Sequence, residues 1–305
     1  MKKIERVAIL GAGAMGAYFA SQFFNTHGFS ASLIAKGDRL KRLDSKGLIV
    51  NGKQYLIPVL DPDQATVPMD LIIVALKHHH LESAAQGLEK LVGNSTTIIS
   101  VMNGLESEEY LGSIYGMDKM LYAVSVGIDA LRNGNEVTYS KPGKHYFGDA
   151  VNKQLSQRVL NVQQAFDKAG IVYETPEDML RILWWKFMIN VGMNQASAVM
   201  GAPYGVFQTS TQARELMEAL MKEVISLANA MGINLTDKDI EDWYGFLKTL
   251  SPQGKTSTLQ DVEAKRKTEV EIFGGSVAEL GKVHGVATPV NQTMFQIIKV
   301  LEEQF

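Results

Sequence analysis

Lys186, Asn190 and Asn194 recur at every fourth position of Leu183-Trp184-Trp185-Lys186-Phe187-Met188-Ile189-Asn190-Val191-Gly192-Met193-Asn194. On a helix of about 3.6 residues per turn they line one narrow stripe. The remaining surface is Trp184, Trp185, Phe187, Met188, Ile189, Val191 and Met193. A helix apolar on nearly every other side is normally buried. An ammonium and two carboxamides are costly to bury unless they face a wet cleft or satisfying partners. A cleft with a cation and amide donors suits an anionic, oxygen-rich ligand. The structural alternative is a polar seam between packed helices.

A second chemical signal opens the chain. The apolar run Val7-Ala8-Ile9-Leu10 reads as a buried parallel strand. It leads directly into Gly11-Ala12-Gly13-Ala14-Met15-Gly16 and then a helical segment through about Asn25. This is G-x-G-x-x-G between strand and helix. Its first glycine permits a tight turn, its second lets a pyrophosphate approach the backbone, and its third lets helix pack on strand. Phosphate then meets free N–H groups at the helix start, including those of Ala14 and Met15. The next strand, Ala31 to Ala35, ends at Lys36, with Arg39 and Arg42 nearby. Sites that prefer NAD place an acid about 20 residues past the glycines. A cation there favours the 2′-phosphate of NADP, unless Lys36 and Arg39 are merely solvated.

Strand ends supply the next candidates. The run 70–76 is a buried strand ending on Lys77, and 96–101 is another, followed by Met102-Asn103-Gly104. Open α/β sheets bind ligands at the carboxyl ends of their strands. Asn-Gly is also a common turn, so Asn103 has a purely local explanation as well. His78-His79-His80 lacks metal-ligand spacing and reads as pocket rim or surface; no metal site is expected. Late in the chain Ser257, Asp261, Lys265 and Glu269 repeat every four residues, as on an exposed, salt-bridged helix.

These residues must be positioned by two kinds of scaffold. Further strand patterns at 121–126, 136–139, 145–148 and 171–174 join hairpin signals at Asn51-Gly52 and Arg132-Asn133-Gly134-Asn135. Residues 155–169 form an amphipathic helix. After Thr175 strand-type runs disappear, and the remainder reads as successive helices. The expectation is an α/β Rossmann-type dinucleotide-binding domain over 1–175, followed by an all-α substrate and catalytic domain over 176–305. The chain of 305 residues suffices for two cores. A net charge of −3 is too small to argue for nucleic acid or an anionic membrane as partner, and neither is expected. Without cysteine there is no disulfide, thiolate metal site or cysteine nucleophile. Met1-Lys2-Lys3 before an apolar run resembles a secretory leader, but Arg6 interrupts it, and no run reaches membrane-span length. The protein is read as cytoplasmic. A homodimer is possible through the Met-rich helical half, although Met at helical spacing is more often core filler.

Several of these motifs in this order resemble the ketopantoate reductases (2-dehydropantoate 2-reductases) over essentially the whole chain. They are G-A-G-A-M-G, V-A-L-K, M-N-G, W-W-K-F-M-I-N-V-G-M-N, S-T-L-Q-D, T-E-V-E, Gly274-Gly275 and Thr288-Pro289-Val290-Asn291. The resemblance implies NADPH-dependent reduction of ketopantoate to (R)-pantoate, in pantothenate and coenzyme A biosynthesis. It implies Lys186 as general acid and Glu269 as the carboxylate that binds substrate hydroxyl and organises the lysine. It implies Asn190, Asn194 and Ser257 as substrate-binding residues, and Asn103 and Lys77 between nicotinamide and substrate. Gly11, Gly13, Ala14, Met15, Gly16 and Lys36 fall to the cofactor, and Asp261 matches a recurrent acid without a catalytic task. Neighbouring aromatics would lower the Lys186 pKa and Glu269 would raise it. The rivals are a reductase of another 2-keto acid, favoured by His78-His79-His80, Tyr204 and Trp243, and a non-catalytic NADP-binding sensor.

Overall fold

The computed structural model describes residues 3–305; Met1 and Lys2, the start of the leader-like stretch, lie outside them. The chain separates into two units, Met1–Ile182 and Leu183–Phe305. The division falls beyond the change of texture at Thr175, because residues just after it are tied to the first unit. Asn152 N–H donates to Glu177 O, Met179 N–H to Ala150 O, and Val151 bridges Asp178.

The first unit runs β1 (Arg6–Leu10), α1 (Ala14–Asn25), β2 (Ser30–Ile34), α2 (Gly37–Lys46), then the hairpin β3 (Leu48–Val50) and β4 (Lys53–Tyr55). It continues with β5 (Val59–Leu60), β6 (Leu71–Val74), α3 (Leu81–Ala85), β7 (Thr97–Ser100), α4 (Ser107–Tyr115) and β8 (Met120–Ile128). β9 (Leu131–Asn133), β10 (Glu136–Thr138), β11 (Pro142–Gly148), α5 (Gln157–Ala169) and β12 (Tyr173–Glu174) complete it. The main sheet has the order β12-β11-β8-β7-β6-β1-β2-β5. From β8 to β5 every pairing is parallel; β11 returns antiparallel to β8.

Strands covered on both faces need no polar side, which is why β6 and β7 are buried throughout and β1 after its first residue. Alternation still sorts their side chains. Val7 and Ile9 pack with Phe19 and Phe23 of α1, whereas Ala8 and Leu10 pack with Leu81, Leu88 and Leu111 on the opposite face. A smaller sheet has the order β4-β3-β10-β9. Its first turn, Asn51 at φ 48° and Gly52 at φ 75°, has the two positive angles that a type I′ hairpin requires. Arg132 lies within β9 rather than in the turn that follows it.

The second unit starts inside α6 (Met179–Ile189), which continues through a π-helical segment, Asn190–Asn194, into α7 (Gln195–Met200). Then come α8 (Tyr204–Thr209), α9 (Thr211–Ala230), α10 (Asp237–Leu247), α11 (Ser257–Glu263), a 3₁₀ turn at Val270–Ile272, α12 (Gly274–His284) and α13 (Pro289–Glu303). No strand occurs among its described residues. The fold is an α/β domain followed by an all-α one. Helix boundaries follow local chemistry: Ser210 accepts Ala213 N–H at the start of α9, and Thr236 with Asp239 forms a capping box at α10. At Gly192 a β-carbon would stand 2.5 Å from Met221 Cγ, so α9 crosses the π segment where no side chain intervenes.

Candidate active site

In the first unit the register of the sheet assembles the candidates. Leu10 pairs with Val74, and Val74 with Ser100, so β1, β6 and β7 end level with one another. Gly11, Lys77 and Asn103 therefore leave the same edge of three adjacent parallel strands, roughly 5 Å apart strand to strand. β1 is also where the chain order reverses, with β2 on one side and β6 on the other. Such switch points open the crevices that hold nucleotides. Lys77 and Asn103 are both partly exposed there.

The glycine turn has the shape that a pyrophosphate needs. Gly11 adopts φ 106°, and a β-carbon on it would lie 2.4 Å from Ala75 O; one on Gly16 would lie 1.7 Å from Gly11 O. Protein packing alone requires both to be glycine. Gly13 differs, since the nearest atom to its β-carbon position is Ala75 O at 4.0 Å. The space left by its missing side chain is open to a ligand. Gly13 also caps α1 without a side-chain hydrogen bond, and the first turn, with Ala14 and Met15, carries no acid. Its N–H groups suit an anion. These residues fit a dinucleotide.

The basic residues past β2 divide into two groups. Lys36 is exposed, and its Nζ lies 2.7 Å from Asp63 Oδ1, a carboxylate more exposed still. Arg39, Arg42 and Arg132 have no carboxylate partner among the described residues. Arg132 donates to Ala12 O at 2.8 Å, inside the glycine turn, and to Gly134 O at 3.0 Å. Burial first, then the charges of Arg39 and Arg42, hold the Arg132 guanidinium below its usual range; burial and Arg42 do the same to Arg39. Guanidiniums that repel one another beside a phosphate-binding turn form a ready anion site. Sequence reading placed Arg132 in a turn, and no local signal connects it to a carbonyl 120 positions earlier.

In the second unit Lys186 sits on α6, and Asn190 and Asn194 open and close the π segment; both asparagines are buried. On an uninterrupted α-helix each four-residue step slants by about 40°. A π turn advances less per residue, so the second step offsets the slant of the first and Asn194 returns toward the azimuth of Lys186. π segments are uncommon and concentrate at functional sites. Lys186 is partly exposed, beside the buried Trp184 and Phe187, whose rings meet edge to face at 5.7 Å. No hydrogen bond or ion pair to its ammonium occurs among the described residues. Burial alone lowers its pKa from 10.5 to about 8.

The late polar set is not one helix face. α11 stops at Glu263, and Lys265 takes a left-handed φ of 50°. The chain reverses there because Arg266 turns back on α11: its N–H donates to Asp261 O at 2.9 Å and its Nε to Asp261 Oδ1 at 3.0 Å. Asp261 is thus a buried brace rather than part of an exposed salt-bridged stripe. Ser257 is exposed on the first turn of α11, which Thr256 ties to α7 through Ser197 Oγ at 3.1 Å. Glu269 is partly exposed just before Val270, which packs with Ala198 and Ile298. Both segments therefore converge on the same long helix. Among the described residues the Lys186 shift has burial as its cause and no contribution from Glu269, against the upward pull expected from it.

Ketopantoate reductase family models match both units: "Ketopantoate reductase PanE/ApbA" over residues 7–152 and its C-terminal counterpart over 178–302. The chain belongs to the ketopantoate reductase family. Within that family it is 24% identical to the 2-dehydropantoate 2-reductase of Aquifex aeolicus, over 98% of this chain and 97% of the relative. The 2-dehydropantoate 2-reductase structure from Geobacter metallireducens superposes with a TM-score of 0.85 at 26% identity, covering 98% and 99%. A D-mandelate dehydrogenase bound to NADH and anilino(oxo)acetate shares the fold, with a TM-score of 0.88 at 20% identity over the same shares. As a member of this family the chain is a nicotinamide-nucleotide-dependent oxidoreductase.

Proposed function

We propose that this protein reduces 2-dehydropantoate to (R)-pantoate with NADPH, and that Lys186 is the proton donor. The observation that carries the proposal is a half-buried lysine without a partner among the described residues, lowered to about 8, in register with two buried asparagines. An ammonium poised near neutrality holds a proton at physiological pH and gives it up readily. When bound, NADPH supplies the hydride. As the carbonyl carbon becomes a C–H centre, its oxygen takes the Lys186 proton and becomes hydroxyl. The growing negative charge on that oxygen strengthens its attraction to the ammonium, so the lysine favours the transition state over the ground state. Asn190 and Asn194 offer amides that donate to carboxylate and accept from hydroxyl. Ser257 and Glu269 serve the substrate hydroxyl, with Glu269 acting on substrate rather than on the lysine. Lys77 and Asn103 stand between nicotinamide and substrate and orient the two, and Gly11, Gly13, Ala14, Met15 and Gly16 hold the pyrophosphate.

NADPH is favoured over NADH by the cation set past β2. Lys36 stands there already neutralised by Asp63, which leaves Arg39, Arg42 and Arg132 as the charges open to a 2′-phosphate. A second reading, reduction of a bulkier 2-keto acid, is favoured by the pocket directly after Lys77. His78, His79, Leu81, Glu82, Glu106 and Tyr110 line it. Specificity constants for ketopantoate, branched and phenyl-substituted keto acids, each with NADPH and NADH, decide between the two. The same panel on Lys186→Ala tests the donor. Turnover of ketopantoate with NADPH above all others supports the proposal, and tight NADPH binding without turnover of any keto acid overturns it.

A further inference from the structure

The loop that carries Asn103 is anchored by a buried hydrogen-bond chain that the reaction itself does not use. Ser100 Oγ accepts Met102 N–H at 3.4 Å and lies 2.7 Å from Ser107 Oγ. Ser107 Oγ in turn donates to Glu108 Oε2 at 2.8 Å. Ser100 is 0%, Ser107 3% and Glu108 1% exposed. Acids in the first turn of a helix are usually exposed and answer the helix dipole, as Glu109 does on α4. Glu108 is turned inward at a considerable desolvation cost, which packing alone does not require.

The direction of the chain is set by its ends. A backbone N–H only donates and a carboxylate only accepts, so each hydroxyl proton must point toward Glu108. Linked hydrogen bonds of one sense polarise and reinforce one another. We propose that Glu108 is a positioning residue for Asn103: its carboxylate orders Ser107 and Ser100, which fix the Met102 amide and so the backbone presenting Asn103. This rests on the reading of Asn103 as a residue that orients the reacting groups.

The device is sensitive to pH. Burial raises the Glu108 carboxyl to about 7, against the lowering pull of Ser107 and of the N–H groups of Glu108 and Ala123. Its titratable neighbours are Glu109 on α4, which raises it further, and Tyr122 on β8, itself shifted upward by burial first and then by Glu109 and Glu108; from β7 it meets the neutral Ser100 through Ser107. Protonated, Glu108 becomes a donor toward Ser107, the hydroxyls lose their imposed direction, and the hold on Met102 weakens.

The experiment compares KM and kcat for the keto acid from about pH 6 to about pH 9 in wild type, Glu108→Gln, Ser107→Ala and Asn103→Ala. Wild type should show KM rising as pH falls through about 7. Glu108→Gln should show KM raised by about tenfold at the alkaline end and no acidic rise, because the amide mimics the protonated acid at every pH. Ser107→Ala, which cuts the chain and leaves the carboxyl in place, should match it. An acidic rise that persists in Glu108→Gln, or in Ser107→Ala should the first variant fail to fold, overturns the inference while an impaired Asn103→Ala upholds the underlying reading. An inert Asn103→Ala overturns both.

Discussion

Two lysines stand out in this chain, and their surroundings give them opposite characters. Lys36 is exposed and paired with the exposed Asp63 at 2.7 Å; Lys186 is half-buried, without a partner among the described residues, and lowered to about 8. An exposed pair contributes only about 0–1 kcal/mol, and its cation is already answered. A desolvated, unanswered ammonium is one that a developing oxyanion can attract and deprotonate. In the proposed mechanism, what suits Lys186 to acid catalysis is therefore the absence of a partner as much as the presence of the charge. The same reasoning separates Lys36 from Arg39, Arg42 and Arg132 beside it, where guanidiniums face one another rather than carboxylates.

The contrast is most open to attack at Lys186. Lys186→Ala should lose about 10²–10⁴ in kcat/KM while binding NADPH normally, measured by cofactor fluorescence and initial rates. Lys186→Arg should fail to restore the rate, since a guanidinium keeps the charge and does not release its proton. An alanine variant at wild-type rate would make the two lysines equivalent after all. Next in size, Arg39→Ala or Arg132→Ala should reduce the preference for NADPH over NADH by roughly 10–100-fold, the worth of a charged hydrogen bond. An equal loss with both cofactors would assign the arginines to the turn rather than to the 2′-phosphate.

A smaller effect extends the comparison to a buried acid. Burial moves Glu108 up, as it moves Lys186 down, each toward its neutral form. A carboxyl raised in the folded state contributes stability below its unfolded pKa and loses it as pH rises through the folded value. At pH above about 7 the protein carries a buried carboxylate at a cost of up to about 3 kcal/mol. Glu108→Gln should thus raise Tm at pH 8 and leave it nearly unchanged at pH 5; an equal gain at both would locate the effect outside titration. The smallest change is expected of Lys36→Ala, within about 1 kcal/mol in stability and with NADPH affinity nearly unaltered. A large loss of NADPH affinity there would break the contrast from its other side.

What could be read in advance follows the range over which sequence carries physical information. Val7 to Leu10, Leu71 to Val74 and Thr97 to Ser100 announce buried parallel strands by composition alone, and Gly11 and Gly16 are fixed by contacts within the motif or one strand away. The spacing of Lys186, Asn190 and Asn194 was visible; the π segment that straightens their stripe was not, since it depends on α9 crossing at Gly192. The four-residue repeat from Ser257 to Glu269 misled because Arg266 folds back on Asp261 and ends α11 early. The reach of Arg132, read as a turn residue, and the burial of Glu108 escaped sequence reading for a common reason. Their roles are set by Ala12 and by the burial of α4 against the sheet, which local periodicity does not encode.

The central claim, that the Lys186 ammonium protonates the keto oxygen, is tested most directly by the pH dependence of kcat with deuterated NADPH as reductant. With hydride transfer shown to be rate-limiting by its isotope effect, kcat should fall as pH rises through about 8. A kcat that stays level far above that pH, with the isotope effect intact, would contradict it.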